Sequence, residues 1–186
     1  LDKIKRKVSN YDLIVYSDFN YGCLPKDLVK KITELGKKYK IVMAADSQSS
    51  SQVGTLKKYK KMNLVTPTER EARITTMNQD DGLIVLAEDL RKQIEAENVV
   101  LKLGEEGFII HSSNKGSWKD DRIKALNNFP KDVAGAGDSL LISAAMSMAC
   151  KSNIWESIYI GSLASALQVS RVGNLPLSLK NLLDIA

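Results

Sequence analysis

The sequence has few of the residues on which several common kinds of active site depend. It contains one histidine and two cysteines among 186 residues, and no Cys-x-x-Cys pair. The histidine, His111, lies on a predicted strand away from every acidic cluster, which argues against imidazole-based metal centres and against a Ser/His/Asp hydrolase. We interpret Cys23 and Cys150 as reduced structural thiols.

Long apolar runs and targeting signals are also missing. No apolar stretch approaches 18 residues, no Asn-x-Ser/Thr sequon occurs, and the first residues do not resemble a signal peptide. With 44% hydrophobic residues the chain can bury a sizeable core. We therefore expect a cytoplasmic protein without membrane contact, folded as a single domain over residues 1–186.

Positive charge is concentrated in the first third of the chain. Residues 1–61 hold 14 Lys and Arg against 6 Asp and Glu, whereas the remainder holds 13 against 16. A nucleic-acid interface is one explanation of such asymmetry. The lysines between Lys26 and Lys40, however, follow a helical pattern whose apolar positions are Leu28, Ile32 and Leu35, so they form its solvated face. Interleaved aromatic residues are few, and we expect no nucleic-acid partner.

Short apolar runs alternate with amphipathic segments along most of the chain. This alternation predicts strands connected by helices, followed by an antiparallel meander and a helical last third. The predicted strands are 13–16, 41–44, 63–65, 99–103, 108–111 and 117–123. The predicted helices are 25–39, 69–76, 81–97, 138–150, 154–171 and 177–183. The pattern indicates an α/β fold with a mostly parallel sheet covered by helices on both faces.

The most informative motif is Asp132-Val133-Ala134-Gly135-Ala136-Gly137-Asp138-Ser139, which precedes an apolar helix. Glycines at this place let backbone N–H groups converge on an anion, and the helix adds the positive end of its dipole. A bound phosphate repels a neighbouring carboxylate, so a carboxylate at this place indicates a chemical role. Accepting a proton from an attacking hydroxyl is such a role. The same cluster also suits an ordinary tight turn. It matches neither a P-loop nor Gly-x-Gly-x-x-Gly.

Polar residues come directly after the predicted parallel strands, which is where ligands collect in such sheets. Asp18 and Asp46 follow the first two strands, Glu69 and Glu71 the third, and Gly104 the fourth. We assign Asp18 and Asp46 to the substrate. Each acid taken alone also suits a helix cap or a solvated turn.

Three segments of the chain resemble the ribokinase-like, or PfkB, family of sugar kinases, and they follow one another in the order that the family uses. Asp132 to Asp138 is similar to the family signature Asp-Thr-x-Gly-Ala-Gly-Asp, with Val133 in place of threonine. Ala45 to Gln48 and Leu64 to Arg73 resemble the branch formed by the kinase domains of bifunctional heptose 7-phosphate kinase/ADP-heptose synthases. The resemblance runs over nearly the whole chain and implies a ribokinase-like three-layer sandwich.

Carried over by position, the resemblance implies a role for each matching residue of the motif. Asp138 matches the catalytic base, and Gly135, Ala136 and Gly137 match the anion hole that stabilises the transferring phosphoryl group. Glu71 matches the acid that organises magnesium, although Thr68 stands where the family has asparagine.

The nucleotide site is implied in the same way. Lys102, Gly104 and Gly107 match the segment Thr-x-Gly-x-x-Gly that contacts the nucleotide, with lysine replacing threonine. Gln168 lies near small residues that resemble the helix bordering the adenine pocket. Those small residues equally suit close helix packing.

The resemblance implies an ATP- and Mg²⁺-dependent kinase that phosphorylates a sugar or sugar phosphate, with heptose 7-phosphate as the first candidate. The family's sugar-binding segment and β lid are not visible before Leu1, so we expect the C-terminal portion of a kinase domain, with low activity by itself. The expected partners are ATP and a sugar phosphate, and we consider a homodimer. A non-catalytic nucleotide- or sugar-binding module and a kinase for another sugar remain as alternatives.

Overall fold

The computed structural model describes residues 1–49, 54–114 and 117–184. Every predicted helix and strand is present, with boundaries shifted by at most three residues, and one helix, Asp2–Lys7, was not predicted. The strands are β1 (Leu13–Asp18), β2 (Val42–Ser47), β3 (Leu64–Val65), β4 (Asn98–Lys102), β5 (Phe108–Asn114) and β6 (Ser117–Ile123). The helices are α1 (Asp2–Lys7), α2 (Lys26–Lys38), α3 (Glu69–Thr76), α4 (Leu83–Ile94), α5 (Ala136–Ala149), α6 (Ile154–Val169) and α7 (Leu179–Leu183).

The strands form a mixed sheet whose spatial order is the same as their order in sequence. Strands β1 to β4 are parallel, and β5 and β6 continue the sheet in antiparallel pairing. The parallel strands are joined by long connections that contain helices or a 3₁₀ turn, whereas β4 reaches β5 through a short turn. The predicted mostly parallel sheet followed by a meander is confirmed.

One face of the sheet packs against α2 and α4. Strand residues such as Tyr16, Val65 and Leu101 contribute to this core, and Val29 of α2 and Leu90 of α4 pack against them. Each of these helices turns its apolar stripe to the sheet and its lysines and glutamates to water.

The opposite face packs against α5 and α6. Alternate strand residues, among them Ala44 and Val100, form this second core with Leu140 and Ile158. A Cβ at Gly161 would lie 2.8 Å from the carbonyl oxygen of Leu140, so this glycine permits the close approach of the two helices. Helices therefore cover both faces, which confirms the three-layer prediction.

Three further expectations are tested by the described residues. His111 was expected to lie away from acidic residues, and this is wrong, because its ring nitrogens lie 2.8 Å from Glu88 and 2.6 Å from Asp120. Cys23 and Cys150 are free and exposed, so neither packs in the core as a structural thiol would. None of the helices in the described part of the chain is long and apolar enough to span a bilayer.

Candidate active site

The carboxyl ends of the parallel strands meet the first turn of α5. Because side chains alternate between the two faces of a strand, Asp46 and Lys102 face the same way as Ala44 and Val100, toward α5. Ser17 pairs with Asp46 in the register of β1 and β2 and faces the same side. These residues form one row beneath the glycine loop.

The glycine loop begins α5 with a left-handed residue. Gly135 is the N-cap of the helix with φ of +78°, and a Cβ there would also collide with the side chain of Asn174. Ala136 and Gly137 already belong to the helix. The N–H of Ala136 donates to the carbonyl oxygen of Val133 at 3.2 Å. The next amides of the first turn, those of Gly137 and Asp138, lack intrahelical acceptors, so they are the N–H groups that this loop presents to an anion.

Two side chains, those of Asp132 and Gln168, form hydrogen bonds to the backbone of the glycine loop. Asp132 accepts hydrogen bonds from the N–H groups of Ala134 and Gly173, both at 2.9 Å. These bonds hold the pKa of Asp132 below its usual value. Gln168 donates from Nε2 to the carbonyl oxygens of Ala134 at 3.2 Å and Gly173 at 3.3 Å. Gln168 is fully buried, so the structure places it as a positioning residue for the loop; nucleotide contact stays a prediction.

Asp138 lies in the first turn of α5 and faces the row of strand ends. Its Oδ1 accepts a hydrogen bond of 3.5 Å from Oγ of Ser17. One residue earlier, a Cβ at Gly137 would lie 3.3 Å from Nζ of Lys102. The carboxylate, the loop and a lysine ammonium are thus brought together.

Lys102 and Asp46 form a buried ion pair beneath Gly137. Nζ of Lys102 lies 2.7 Å from Oδ2 of Asp46, with relative side-chain exposures of 14% and 1%. Burial raises the pKa of Asp46, which the charges of Glu71 and Asp138 raise further, while Lys102 opposes them. Within the described residues, Oδ1 of Asp46 has no hydrogen-bond partner although it is buried, and the same holds for Oγ1 of Thr66.

Glu71 caps α3 and fastens the chain that comes after β2. Its Oε2 accepts from the N–H of Thr68 at 2.8 Å within a capping box, and its Oε1 accepts from the N–H of Ser49 at 3.1 Å. Across the described parts of the chain, no group of three or more His, Cys, Asp and Glu side chains is arranged to hold a metal ion. The role of Glu71 toward magnesium therefore stays a prediction.

Asp18 is not brought together with the other acids. It is part of β1 and alternates with Ser17, so its side chain faces the α2 side of the sheet. There it accepts hydrogen bonds from the hydroxyl of Tyr59 at 2.6 Å and the N–H of Asn20 at 2.9 Å, and it pairs with Lys58. These contacts give Asp18 a structural role, and its assignment to the substrate stays a prediction that the geometry does not support.

A cavity of about 220 Å³ opens beside the glycine loop. Its lining is mainly apolar, with Phe108 and Leu126 on one side and Ala166 on the other, and it reaches Gly137 and Lys102. Its position next to the anion loop suits one planar ring system, because ligand pockets combine apolar walls with a few polar groups.

The two glycines of the β4–β5 turn differ in their surroundings. Gly104 has φ of +61° and lines the cavity, so it fits the predicted nucleotide role. Gly107 has φ of +90°, and a Cβ there would meet the backbone at Ile123 and Ala125. Close packing against the end of β6 thus accounts for Gly107, and its nucleotide role stays a prediction.

Sequence reasoning missed two members of this site. Ser17 lies outside every motif, and Thr66 belongs to the segment Leu64 to Arg73 but was not singled out as a site residue. A hydrogen bond to Asp138 reveals Ser17, and a buried hydroxyl without a partner in the described residues reveals Thr66. The pairing of Lys102 with Asp46 was missed as well, because 56 residues separate them in sequence.

Comparison with known proteins supports the resemblance over most of the chain. Residues 1–180 match the model of a family described as "pfkB family carbohydrate kinase". The bifunctional protein HldE of Campylobacter fetus subsp. fetus is 28% identical over 180 residues, covering 94% of this chain and 37% of that protein. HldE of Sulfurimonas denitrificans is 28% identical over 188 residues, covering 98% and 37%. The chain thus spans about a third of the length of these relatives.

Solved structures show the same fold. A ribokinase of Arabidopsis thaliana complexed with ribose and ATP superimposes with a TM-score of 0.79 at 18% identity, over 99% of this chain and 58% of that one. Phosphofructokinase-2 of Escherichia coli in complex with potassium gives 0.78 at 18% identity, over 99% and 60%. The ribokinase-like architecture is therefore confirmed.

Proposed function

Because the chain belongs to the pfkB family of carbohydrate kinases, we propose that its site transfers the γ-phosphoryl group of ATP to a sugar phosphate. The proposed acceptor is D-glycero-D-manno-heptose 7-phosphate, and the proposed product is the 1,7-bisphosphate. The sugar assignment rests on the segments Ala45 to Gln48 and Leu64 to Arg73. The bifunctional HldE relatives are consistent with it.

The observation that carries the proposal is the position of Asp138 at the first turn of α5, directly after the left-handed Gly135. An acceptor hydroxyl held between Asp138 and the loop would lose its proton to the Asp138 carboxylate as its oxygen attacks phosphorus. The bond from phosphorus to the bridging oxygen breaks, and ADP leaves with that electron pair. The first-turn amides of α5 stabilise the charge on the transferring group.

The ATP phosphates would lie between the glycine loop and Lys102, whose ammonium is within reach of Gly137. The base would occupy the apolar cavity past Gly104. Lys102 keeps a positive donor where the family has threonine, and its charge is shared with Asp46 in the free protein.

One carboxylate oxygen of the site is available to a magnesium ion, whose other ligands would be ATP phosphates and water. Oδ1 of Asp46 is a buried carboxylate oxygen without a partner in the described residues, and hard cations such as Mg²⁺ prefer oxygen ligands. Asp46 would hold the ion together with the ATP phosphates, and Glu71 would support it from α3. When bound, the ion neutralises charge on the phosphates during transfer.

Part of the acceptor site is proposed to come from chain outside these 186 residues. Asp138 and the loop address the proton and the phosphate, not the rest of the sugar. Aligning the reacting groups can supply about 7 to 11 kcal/mol of the barrier. We therefore expect this chain alone to bind ATP and to release little ADP in response to sugar.

The test uses Asp138→Asn, with Asp27→Asn as a matched control because Asp27 is the acid in the first turn of α2. Titration calorimetry of the 186-residue chain with ATP and Mg²⁺ should give affinities within a few-fold of wild type for both variants. In the active enzyme, ADP release in the presence of heptose 7-phosphate should fall about 10²- to 10⁴-fold for Asp138→Asn only. Turnover near wild type in Asp138→Asn would remove this residue as the base.

A non-catalytic nucleotide-binding module is the second candidate. The ion pair of Lys102 with Asp46 favours it, because a cation already neutralised by a carboxylate contributes less to a developing phosphate charge. The test is made on the longer protein that contains the complete acceptor site. Magnesium-dependent ATP binding without turnover of any sugar phosphate by that protein would favour this alternative.

A further inference from the structure

A groove on the α2 side of the sheet gathers much of the positive charge of the protein. It has a volume of about 550 Å³ and lies between α2, the segment 57–61 and the end of α4. It shares no residue with the apolar cavity beside the glycine loop. The groove is therefore separate from the kinase site, and a ligand bound in it would be independent of the proposed function.

Lysines line the groove from two segments that are distant in sequence. One wall is the stripe Lys26, Lys30 and Lys37 of α2, whose spacing places these side chains on one side of the helix. The facing wall carries four more, which are Lys57, Lys58, Lys60 and Lys61. Sequence reasoning treated the α2 lysines as a solvated face, because it could not place the second segment opposite them.

The charge in the groove is poorly neutralised. Its seven lysines are accompanied by two glutamates, and Asp18 neutralises Lys58 from beneath, which leaves a surplus of four positive charges. Lys60 and Lys61 approach Glu95 at only 3.8 and 3.5 Å. Exposed pairs of this kind contribute about 0 to 1 kcal/mol.

Several of these lysines lack an acidic partner among the residues that the structure describes. Across those parts of the chain, no ion pair involves Lys26, Lys30, Lys37 or Lys57, whereas Lys58 pairs with Asp18. Ammonium groups gathered with so few counter-charges repel one another and attract an anion of high charge density.

We propose that this groove binds a linear polyphosphate, an anion made of linked phosphates without bases. Its cations within the described residues are all lysines, which act as rotatable point charges suited to phosphate, and none is an arginine with the planar fork used for bidentate carboxylate or guanine recognition. No aromatic side chain among the described residues lines it, so it offers no platform on which a single-stranded nucleic acid could stack its bases.

The test compares three triple variants of the 186-residue chain that remove the same charge from different places. The first is Lys26→Gln/Lys30→Gln/Lys37→Gln on α2, and the second is Lys57→Gln/Lys60→Gln/Lys61→Gln on the facing wall. The matched control is Lys3→Gln/Lys5→Gln/Lys7→Gln on α1, which lies outside the groove. All nine positions are exposed, and circular dichroism and thermal melts verify that each variant is folded.

Binding of long-chain inorganic polyphosphate is measured by fluorescence anisotropy across a series of salt concentrations. We expect wild type and the α1 control to bind with similar salt dependence. Each groove variant should lose at least about tenfold in affinity at low salt, and the slope of log K against log salt should become shallower by about 3, one for each phosphate contact removed.

Three results would overturn the proposal. Equal losses in the α1 control would show attraction to net charge alone. A loss of affinity confined to one wall would show binding to a single segment and not to a groove between two. Duplex or single-stranded DNA binding through the same lysines as tightly as polyphosphate would assign the surface to nucleic acid.

Discussion

Removing Lys102 should destabilise the protein strongly, because the carboxylate of Asp46 would remain buried without a counter-charge. Asp46 is 1% exposed, Lys102 lies 2.7 Å from its Oδ2, and its Oδ1 has no other partner in the described residues. Breaking a buried pair from one side costs about 3 to 5 kcal/mol. Each kcal/mol shifts Tm by about 2 to 4 °C in a chain of this size, so Lys102→Met should lower Tm by about 6 to 20 °C.

The assay is a double-mutant cycle by urea denaturation at pH 7 with Lys102→Met, Asp46→Asn and the double variant. The double variant buries no unpaired charge, so it should recover about 2 kcal/mol or more of the summed losses. The control is Lys60→Met, which breaks an exposed pair with Glu95 at 3.8 Å and should cost about 1 kcal/mol or less. If the loss in unfolding free energy of the double variant equals the sum of the two single losses within about 0.5 kcal/mol, the buried-pair argument is refuted.

The remaining predictions concern acid stability and the anion loop. The hydrogen bonds from Arg91 lower the pKa of Glu88 most, partial burial opposes them, and His111 and Lys92 lower the pKa further, to about 2 against an ordinary value of 4.5. A lowered carboxylate pKa stabilises the fold above pH 4.5, and that stabilisation is lost between pH 4.5 and 2. Glu88→Gln should therefore lower the free energy of unfolding by about 1.5 to 3 kcal/mol at pH 6, and by progressively less toward pH 2, in urea titrations. A difference between variant and wild type that does not change with pH would contradict this. Gly137→Val should weaken ATP binding at least about tenfold in calorimetry, because a side chain there fills the space beside Lys102, while the neighbouring loop variant Ala134→Val should bind normally. Normal ATP affinity in a folded Gly137→Val protein would mean that the loop is only a turn.

Several features followed from short stretches of sequence because their causes are local. The apolar runs at 13–16, 41–44 and 99–103 correspond to strands in the structure, since short apolar runs bounded by turn residues suit a covered parallel sheet. The glycines before Asp138 indicated a loop at a helix start, and the left-handed Gly135 occupies that place. The PfkB resemblance then connected these elements to one fold, which the family match bears out.

The extent of the strands was not determined locally. β1 and β2 continue to Asp18 and Ser47 because they pair with each other there, and this pairing converts predicted loop acids into strand residues. A strand residue faces one side or the other with a period of two. Asp18 therefore turns away to Tyr59 and Lys58, whereas Asp46 turns toward α5.

By itself, the sequence determined the order and type of the helices and strands from β1 onward, the glycine loop and the identity of the acid at the first turn of α5, since each depends on residues within a few positions. Only the tertiary structure decided which charged groups meet. It paired Asp46 with Lys102 across 56 residues and set lysines of α2 opposite those of 57–61. The physical reason is that the environment of a buried or clustered charge is made by distant segments, whose approach depends on strand register and on how helices pack against the sheet.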